Sequence, residues 1–550
     1  MTADPSSNLR AGISSLPPII QSLLDPSAYP ELTESVELGQ THISYLFFTP
    51  NFVYKVKKPV DFGFLDFSTL EKRAYYCQQE LQLNRRISPD VYLDVVSIVD
   101  VNGKYVIDEG VSSPLTLRPG SARAEQPVEY AVKMRRLPAD RMAKVLLESN
   151  QLTDDMVRDL GRLIADFHQR AETSPEISSY SSLEGVSRNI TENFEQTEKY
   201  IGQSISEKQY GRIKEYALGF LKENSQLFQR RVDSGRIKDC HGDLHLDQIC
   251  FTDEGVRVID CIEFTERFRF CDVASDIAFL AMDLEHNGRW DLSIALMYEY
   301  LAASGDTELK DLLVFYKCYR AYVRGKVESF RLDDPHISED EKRAAALRAS
   351  HYFDLSYAYA SRSYPPYLVI TAGMVGTGKS AVAEELASET GMAVMASDMI
   401  RKALAGVPPT ERHYDTYSGG MYSPEGSQKT YQKMFRLAKD LLKEGQSVIL
   451  DATFKKREDR EKALSLAIEA GARLWTVECV CPEEIVKKRL EQRERKGASP
   501  SDGRWEIYER DKKDYAPLTE LPSERHIVVD TSKLGPRDAA INAAKGIGLI

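Results

Sequence analysis

None of the eight cysteines in this 550-residue chain stands in a C-x-x-C pair, which excludes the common zinc-ribbon and thiol-redox motifs. Cys240, Cys250, Cys261 and Cys271 recur 10 or 11 residues apart, too far for zinc-ligand pairs, which stand roughly two to four apart. Buried free thiols in a reducing cytoplasm are the expected reading. No window approaches the ~20 apolar residues of a membrane helix. The first residues, MTADPSSNLRAGISSLPPII, lack a basic stretch followed by a long apolar one, so no signal peptide is expected. Positive charge is in deficit as well: 72 Lys and Arg face 84 Asp and Glu, a net charge of −12. Such a chain does not coat nucleic acid or anionic membrane non-specifically, although a local basic site for a phosphorylated ligand is compatible with it. There is no basic-aromatic tract, no internal repeat and no low-complexity segment.

What is present is an ordinary globular composition, 42% hydrophobic and 28% charged, in a chain long enough for two or three domains. Residues 1–30, rich in Ser and Pro, read as a loosely ordered lead. Over 31–345 short strands precede long helices. SVELGQ, YLFFT and FVYKVKK read as antiparallel strands, with a turn at Thr49-Pro50-Asn51. Residues 69–87 have helical spacing, and the helix after Thr153 buries Met156, Leu160, Leu163, Ile164 and Phe167. Strands first and helices later predict an α+β, bilobal domain. Residues 346–365 form a connecting helix or linker that ends at Pro365-Pro366. Over 366–550 the strands LVIT, AVMAS, SVILD, LWTVECV and HIVVD alternate with helical stretches, which predicts an α/β domain with a five-stranded parallel sheet.

LVIT runs into Gly373-Met374-Val375-Gly376-Thr377-Gly378-Lys379-Ser380 and then a helical stretch. A polyphosphate needs bare backbone N–H groups at a helix N-terminus, and glycines permit that approach. Gly373, Gly376, Gly378, Lys379 and Ser380 are therefore the ATP-binding candidates, with Lys379 on the β- and γ-phosphates and Ser380 on Mg²⁺. Asp451, ending SVILD, is the second Mg²⁺ contact. Asp398 follows the second strand, at the carboxyl edge where α/β sheets bind ligands. It is cast as the base for an acceptor hydroxyl, with Arg401 clamping an anionic group; capping of the next helix is the rival role. This half resembles the P-loop small-molecule and polynucleotide kinases. The resemblance implies that Asp398-x-x-Arg401 supplies the general base and a substrate-phosphate contact, that Asp451-Ala-Thr-Phe is the next acidic motif, and that 487–513 is a lid. Arg489, Arg493 and Arg495 are lid candidates to neutralise the transferring phosphoryl group, a solvated helix face being the alternative.

In the first half, Cys240-His241-Gly242-Asp243-Leu244-His245-Leu246-Asp247-Gln248-Ile249 precedes VRVI and Asp260. This resembles the H-G-D-x-x-x-x-N catalytic loop of aminoglycoside and choline phosphotransferases, which share the protein-kinase fold. The resemblance implies that Asp243 accepts the acceptor's proton and that Asp260 holds Mg²⁺, with Gln248 replacing the metal-binding Asn. It also puts Lys55 on the ATP phosphates, with Lys57 as second choice, and Glu80 as the ion-pair partner. A glutamine carbonyl can ligate a metal, but its extra methylene moves the oxygen by about a bond length, a shift that active sites seldom tolerate. The domain is thus either a competent phosphotransferase or an impaired one that binds ligand or regulates its neighbour.

The whole chain is similar to bifunctional aminoglycoside phosphotransferase-like/ATP-binding proteins. The expected function is an ATP- and Mg²⁺-dependent phosphotransferase acting on a hydroxyl-bearing small molecule in the cytoplasm, with no membrane partner. A regulatory ATPase with a ligand-sensing front half is one alternative. A 5′-hydroxyl polynucleotide kinase is another, disfavoured by the net charge. Asp272, Asp276, Asp283 and Glu285 are candidates to line a cationic acceptor's site.

Overall fold

The computed structural model describes residues 16–63, 65–109, 126–335, 337–362, 365–408, 420–496, 503–519 and 523–549. The chain divides into two compact units, one of Met1–Val145, Asp159–Ser181 and Arg231–Ile277, the other of Leu146–Arg158, Ser182–Arg230 and Ala278–Ile550.

In the first unit, six antiparallel strands form a sheet in the order β1-β2-β3-β6-β4-β5. They are β1 (Glu37–Gln40), β2 (Ser44–Phe48), β3 (Phe52–Lys57), β4 (Tyr92–Val101), β5 (Lys104–Asp108) and β6 (Pro127–Arg135). One face receives the Leu70–Arg85 helix, opened by Thr69, whose side chain accepts from the Lys72 N–H. Ala74, Cys77 and Leu81 bury there against Val53, Val95 and Val132. The other face is covered by the end of the lead. Ile20, Leu23, Ala28 and Tyr29 are buried against Phe47, Tyr54 and Ile98, and the Tyr54 hydroxyl donates to Glu31 at 2.9 Å. The described part of the lead is therefore docked, contrary to the expectation of a loose segment. Below this sheet come two short antiparallel pairs: β7 (Ile237–Asp239) with β10 (Phe270–Asp272), and β8 (Ile249–Thr252) with β9 (Gly255–Val258).

The second unit contains the parallel sheet β12-β13-β11-β14-β15, built from β11 (Tyr367–Ala372), β12 (Ala393–Ala396), β13 (Val448–Asp451), β14 (Arg473–Val480) and β15 (His526–Asp530). The five strands fall where the apolar runs predict them. The Lys379–Thr390 and Pro536–Ile547 helices bury Val382, Leu386, Ala540 and Ala544 against the sheet. Because β11 lies between β13 and β14, the strand order reverses at its carboxyl end, which opens a crevice there.

The connecting helix expected over 346–365 is the later part of the longer Glu339–Ala360 helix. The Glu339–Ala360 helix has nine buried residues, among them Phe353, Tyr357 and Tyr359. Just past its end, Arg362 Nη1 donates to the carbonyl of Glu444, which caps the Pro424–Lys443 helix, at 2.8 Å. The Leu309–Phe330 helix crosses it so closely at Gly325 that a Cβ there would meet the Phe353 ring at 2.8 Å. Gly325→Val is expected to lower stability by about 1–3 kcal/mol through overpacking, read as a lower urea midpoint; an unchanged midpoint would refute this close contact. Among the described residues no helix is long and apolar enough to cross a membrane.

Candidate active site

The turn after β11 carries three glycines at φ of 133° (Gly373), 82° (Gly376) and 92° (Gly378), values that side-chain-bearing residues rarely adopt. Space is as demanding as backbone. A Cβ on Gly373 would sit 2.5 Å from the Cys479 carbonyl oxygen, and one on Gly376 2.9 Å from Val486. The Lys379–Thr390 helix starts directly behind them, so its first N–H groups and positive end face the turn. Lys379 is buried and its Nζ donates to the Met374 carbonyl at 2.8 Å. Burial pushes its pKa down, against the pull of Asp451.

Asp451 closes β13 and accepts from Thr371 Oγ1 at 3.1 Å and from the Ser380 side chain. Burial pushes this carboxyl above the ordinary range, opposed first by the Ser380 hydrogen bond and then by the Lys379 charge. A hydroxyl beside a carboxylate is the hard-oxygen donor set that Mg²⁺ takes. Asp398 lies in the first turn of the Ser397–Ala405 helix, whose cap is Ala396 without a side-chain hydrogen bond. It therefore does not serve as the N-cap. Its carboxylate instead receives Arg401 Nη1 at 2.6 Å, and the Arg401 guanidinium lies 4.7 Å over the Tyr422 ring.

One cleft of about 1010 Å³ is lined by Gly376, Gly378, Lys379, Ser380, Asp398, Arg401, Asp451 and Arg493. Arg489 stands beside the glycine turn, its Nη1 3.5 Å from where a Cβ on Gly378 would lie. It donates to Thr531 Oγ1 at 3.0 Å and to the Thr531 carbonyl at 2.7 Å, on the loop behind β15. The Arg495 side chain lies outside the described residues. The sequence reading missed Lys455 and Tyr431, which also line the cleft. They flank Phe454, which holds a positive φ of 43° and whose N–H donates to the Tyr431 hydroxyl at 3.3 Å. Two lysines directly after the Asp451-Ala-Thr-Phe motif were the available signal.

The first unit assembles a second constellation. Lys55 Nζ is 2.8 Å from Glu80 Oε1 and 2.5 Å from Asp260 Oδ1. Asp260 has a φ of +64°, and its N–H donates to the buried Tyr92 hydroxyl at 2.9 Å. Gln248 does not point a free carbonyl at this acid; its Nε2 donates to Asp260 Oδ2 at 3.4 Å. Asp243 is partly exposed, 3.3 Å from His245 Nε2. Its loop is fixed from below by Asp276, which accepts from the N–H groups of His241 (3.0 Å) and Gly242 (2.9 Å) and lies 3.1 Å from His168 Nε2.

Three of the carboxylates assigned to an acceptor are spent elsewhere. Asp276 holds the loop just described. Asp272 pairs with Arg231 through both oxygens at 2.7 and 3.0 Å, and Glu285 receives Lys317 and Ser293. All three are buried, so they do not form an acceptor surface. Asp283 is buried too. His168, Cys240 and Asp276 come together, but both Asp276 oxygens already accept hydrogen bonds and the Cys240 thiol donates to the Cys271 carbonyl. Burial also pushes that thiol up, so the cluster is a hydrogen-bonded knot without the chemistry of a metal centre.

Comparison with known proteins finds a match in each half of the chain. Residues 104–312 match the model of the phosphotransferase enzyme family, and residues 368–518 match that of the AAA domain. Uncharacterized proteins of Mycobacterium tuberculosis and Mycobacterium bovis are each 29% identical over 457 residues, covering 83% of this chain and 86% of theirs. Among solved structures, an aminoglycoside 2′-phosphotransferase-IIIa in complex with GDP is 14% identical, with a TM-score of 0.37, covering 62% of this chain and 99% of its own. A gluconokinase from Sinorhizobium meliloti is 21% identical, with a TM-score of 0.23, covering 34% of this chain and 94% of its own. The chain thus carries a kinase-like stretch that matches the phosphotransferase enzyme family, followed by a P-loop stretch that matches the AAA domain.

Proposed function

We propose that the chain is an ATP-dependent phosphotransferase that phosphorylates a hydroxyl-bearing small molecule in its P-loop domain. The observation that carries this reading is the single cleft that holds Lys379, Ser380, Asp451, Asp398 and Arg401 together. Mg²⁺-ATP supplies the phosphoryl group and the charge neutralisation that such a transfer needs. The glycine turn admits phosphate oxygens to backbone N–H groups, and Lys379 leaves the Met374 carbonyl to contact them. Ser380 and Asp451 would hold the metal. Asp398 takes the acceptor's proton, while Arg401, braced by Asp398 and Tyr422, orients the acceptor. Arg493, which lines the cleft, is the arginine cast to offset charge on the moving phosphoryl group.

For the kinase-like half the reading is nucleotide binding, with Lys55 on the phosphates and Asp243 and Asp260 at its catalytic positions. A ligand-sensing role has one observation in its favour. Both Asp260 oxygens are engaged, one by Lys55 and one by the Gln248 amide, which leaves less of the carboxylate for a metal.

The test is labelled γ-phosphate transfer across sugars, nucleosides, aminoglycosides and a 5′-hydroxyl oligonucleotide. Transfer to a small alcohol is the expected result. ATP hydrolysis that no acceptor stimulates would overturn the proposal in favour of a regulatory ATPase, and transfer confined to the oligonucleotide would make the protein a polynucleotide kinase.

A further inference from the structure

The kinase-like half contains one more buried lysine than a lysine–glutamate pair needs. Lys55 and Lys57 are two apart on β3, so both project from the same face of the sheet. Asp260 and Glu263 are three apart on the segment after β9. Glu80, fully buried, stands between the two pairs. The result is a row of alternating charges. Asp260 binds Lys55 at 2.5 Å, Lys55 binds Glu80 Oε1 at 2.8 Å, Glu80 Oε2 binds Lys57 at 2.7 Å, and Lys57 binds Glu263. Lys57 is as buried as Glu80, and its Nζ lies 4.8 Å over the Phe67 ring. Burial opposes ionisation of Glu80, but the two lysines together hold its pKa below the ordinary carboxylate range.

Position separates the two lysines. Lys55 faces Asp260, whose side chain is 42% exposed, whereas Lys57 faces Glu263, whose side chain is 4% exposed. Only Lys55 stands at the open end of the row. A lysine that turns from Glu80 towards a ligand phosphate leaves a fully buried carboxylate behind. An uncompensated buried charge of that kind is strongly destabilising.

We propose that Lys57, anchored by Glu263, is a positioning residue that keeps Glu80 neutralised and so releases Lys55 to engage nucleotide phosphates. This inference rests on the reading that the kinase-like half binds a nucleotide. It assigns the mobile cation to Lys55 and the fixed one to Lys57, a distinction that strand periodicity alone does not draw.

An acyl-phosphate derivative of ATP, which acylates the lysine nearest the phosphates, separates the possibilities when applied to the full chain with peptide mapping. In the wild type, Lys55 is acylated, excess ATP blocks the reaction, and Lys57 is spared. Lys57→Met lowers Lys55 acylation about tenfold, because Glu80 now holds Lys55 alone. The double variant Lys57→Met/Glu263→Leu removes both charges of the outer pair. It regains the melting temperature without regaining Lys55 acylation, and it carries the test if the single variant does not fold. Recovery of acylation together with stability would reduce Lys57 to a structural role and overturn the inference, as would preferential labelling of Lys57. If ATP fails to protect Lys55 in the wild type, the nucleotide-binding reading itself is wrong and the inference falls with it.

Discussion

Replacing Lys379 with methionine is expected to lower ATP-dependent phosphate transfer by about a thousandfold or more, and yet to raise the melting temperature of the ligand-free protein. The two effects share one cause. Lys379 is buried behind the glycine turn, and burial holds its pKa below that of a free lysine despite the nearby Asp451. A lysine whose folded pKa is depressed adds full stability only above its unfolded pKa, and that contribution is lost as the pH falls through the folded value. At pH 7 the charge is therefore carried at a cost, which methionine of similar length removes. The same substitution eliminates the group proposed to meet the phosphates, so Mg²⁺-ATP should no longer shift the melting curve. Differential scanning fluorimetry with and without nucleotide checks both halves. A variant that melts earlier than the wild type without ligand would contradict the burial argument, and a retained ATP shift would contradict the phosphate contact.

The second large effect is expected at Asp398. Asp398→Asn should lower acceptor phosphorylation by about 10²–10⁴, the range of a lost general base, while nucleotide-induced stabilisation persists. Asparagine keeps an oxygen for the Arg401 Nη1 donor, now 2.6 Å away, so the local geometry survives the loss of basicity. Arg401→Met should behave differently, raising the acceptor KM more than it lowers kcat, because an orienting clamp contributes to ground-state and transition-state binding alike. Equal kcat losses in both variants would reduce the pair to one structural ion pair. So would full activity in Asp398→Asn.

Much of this was legible in the sequence because it is local. Alternation over FVYKVKK, the apolar runs of the five parallel strands and the G-x-x-x-x-G-K-S spacing each encode their structure within a few residues. The positions of Asp451, at the end of β13, and Asp398, just after β12, were legible for the same reason, since the place of those strands in the sheet follows from topology. What was not legible depends on partners far along the chain. Leu23 and Tyr29 in a Ser- and Pro-rich lead look unattached until Phe47 and Tyr54 supply the surface that buries them. Asp272 and Glu285 are recognisable as acids, but not as acids already neutralised by Arg231 and Lys317. Nothing near Arg489 in the sequence shows that Thr531, on a different element, holds its guanidinium beside Gly378. The connecting helix carries a charged start, Glu339-Asp340-Glu341, which disguises a second half buried among other helices.

The most direct measurement is transfer of the labelled γ-phosphate by the wild type, Lys379→Met and Asp243→Asn, assayed side by side on whichever acceptor the wild type phosphorylates. The predicted result is loss of transfer in Lys379→Met and its retention in Asp243→Asn, which locates the chemistry in the cleft that joins Lys379, Asp451 and Asp398. Transfer that survives Lys379→Met and disappears in Asp243→Asn would contradict this and make the kinase-like half the enzyme.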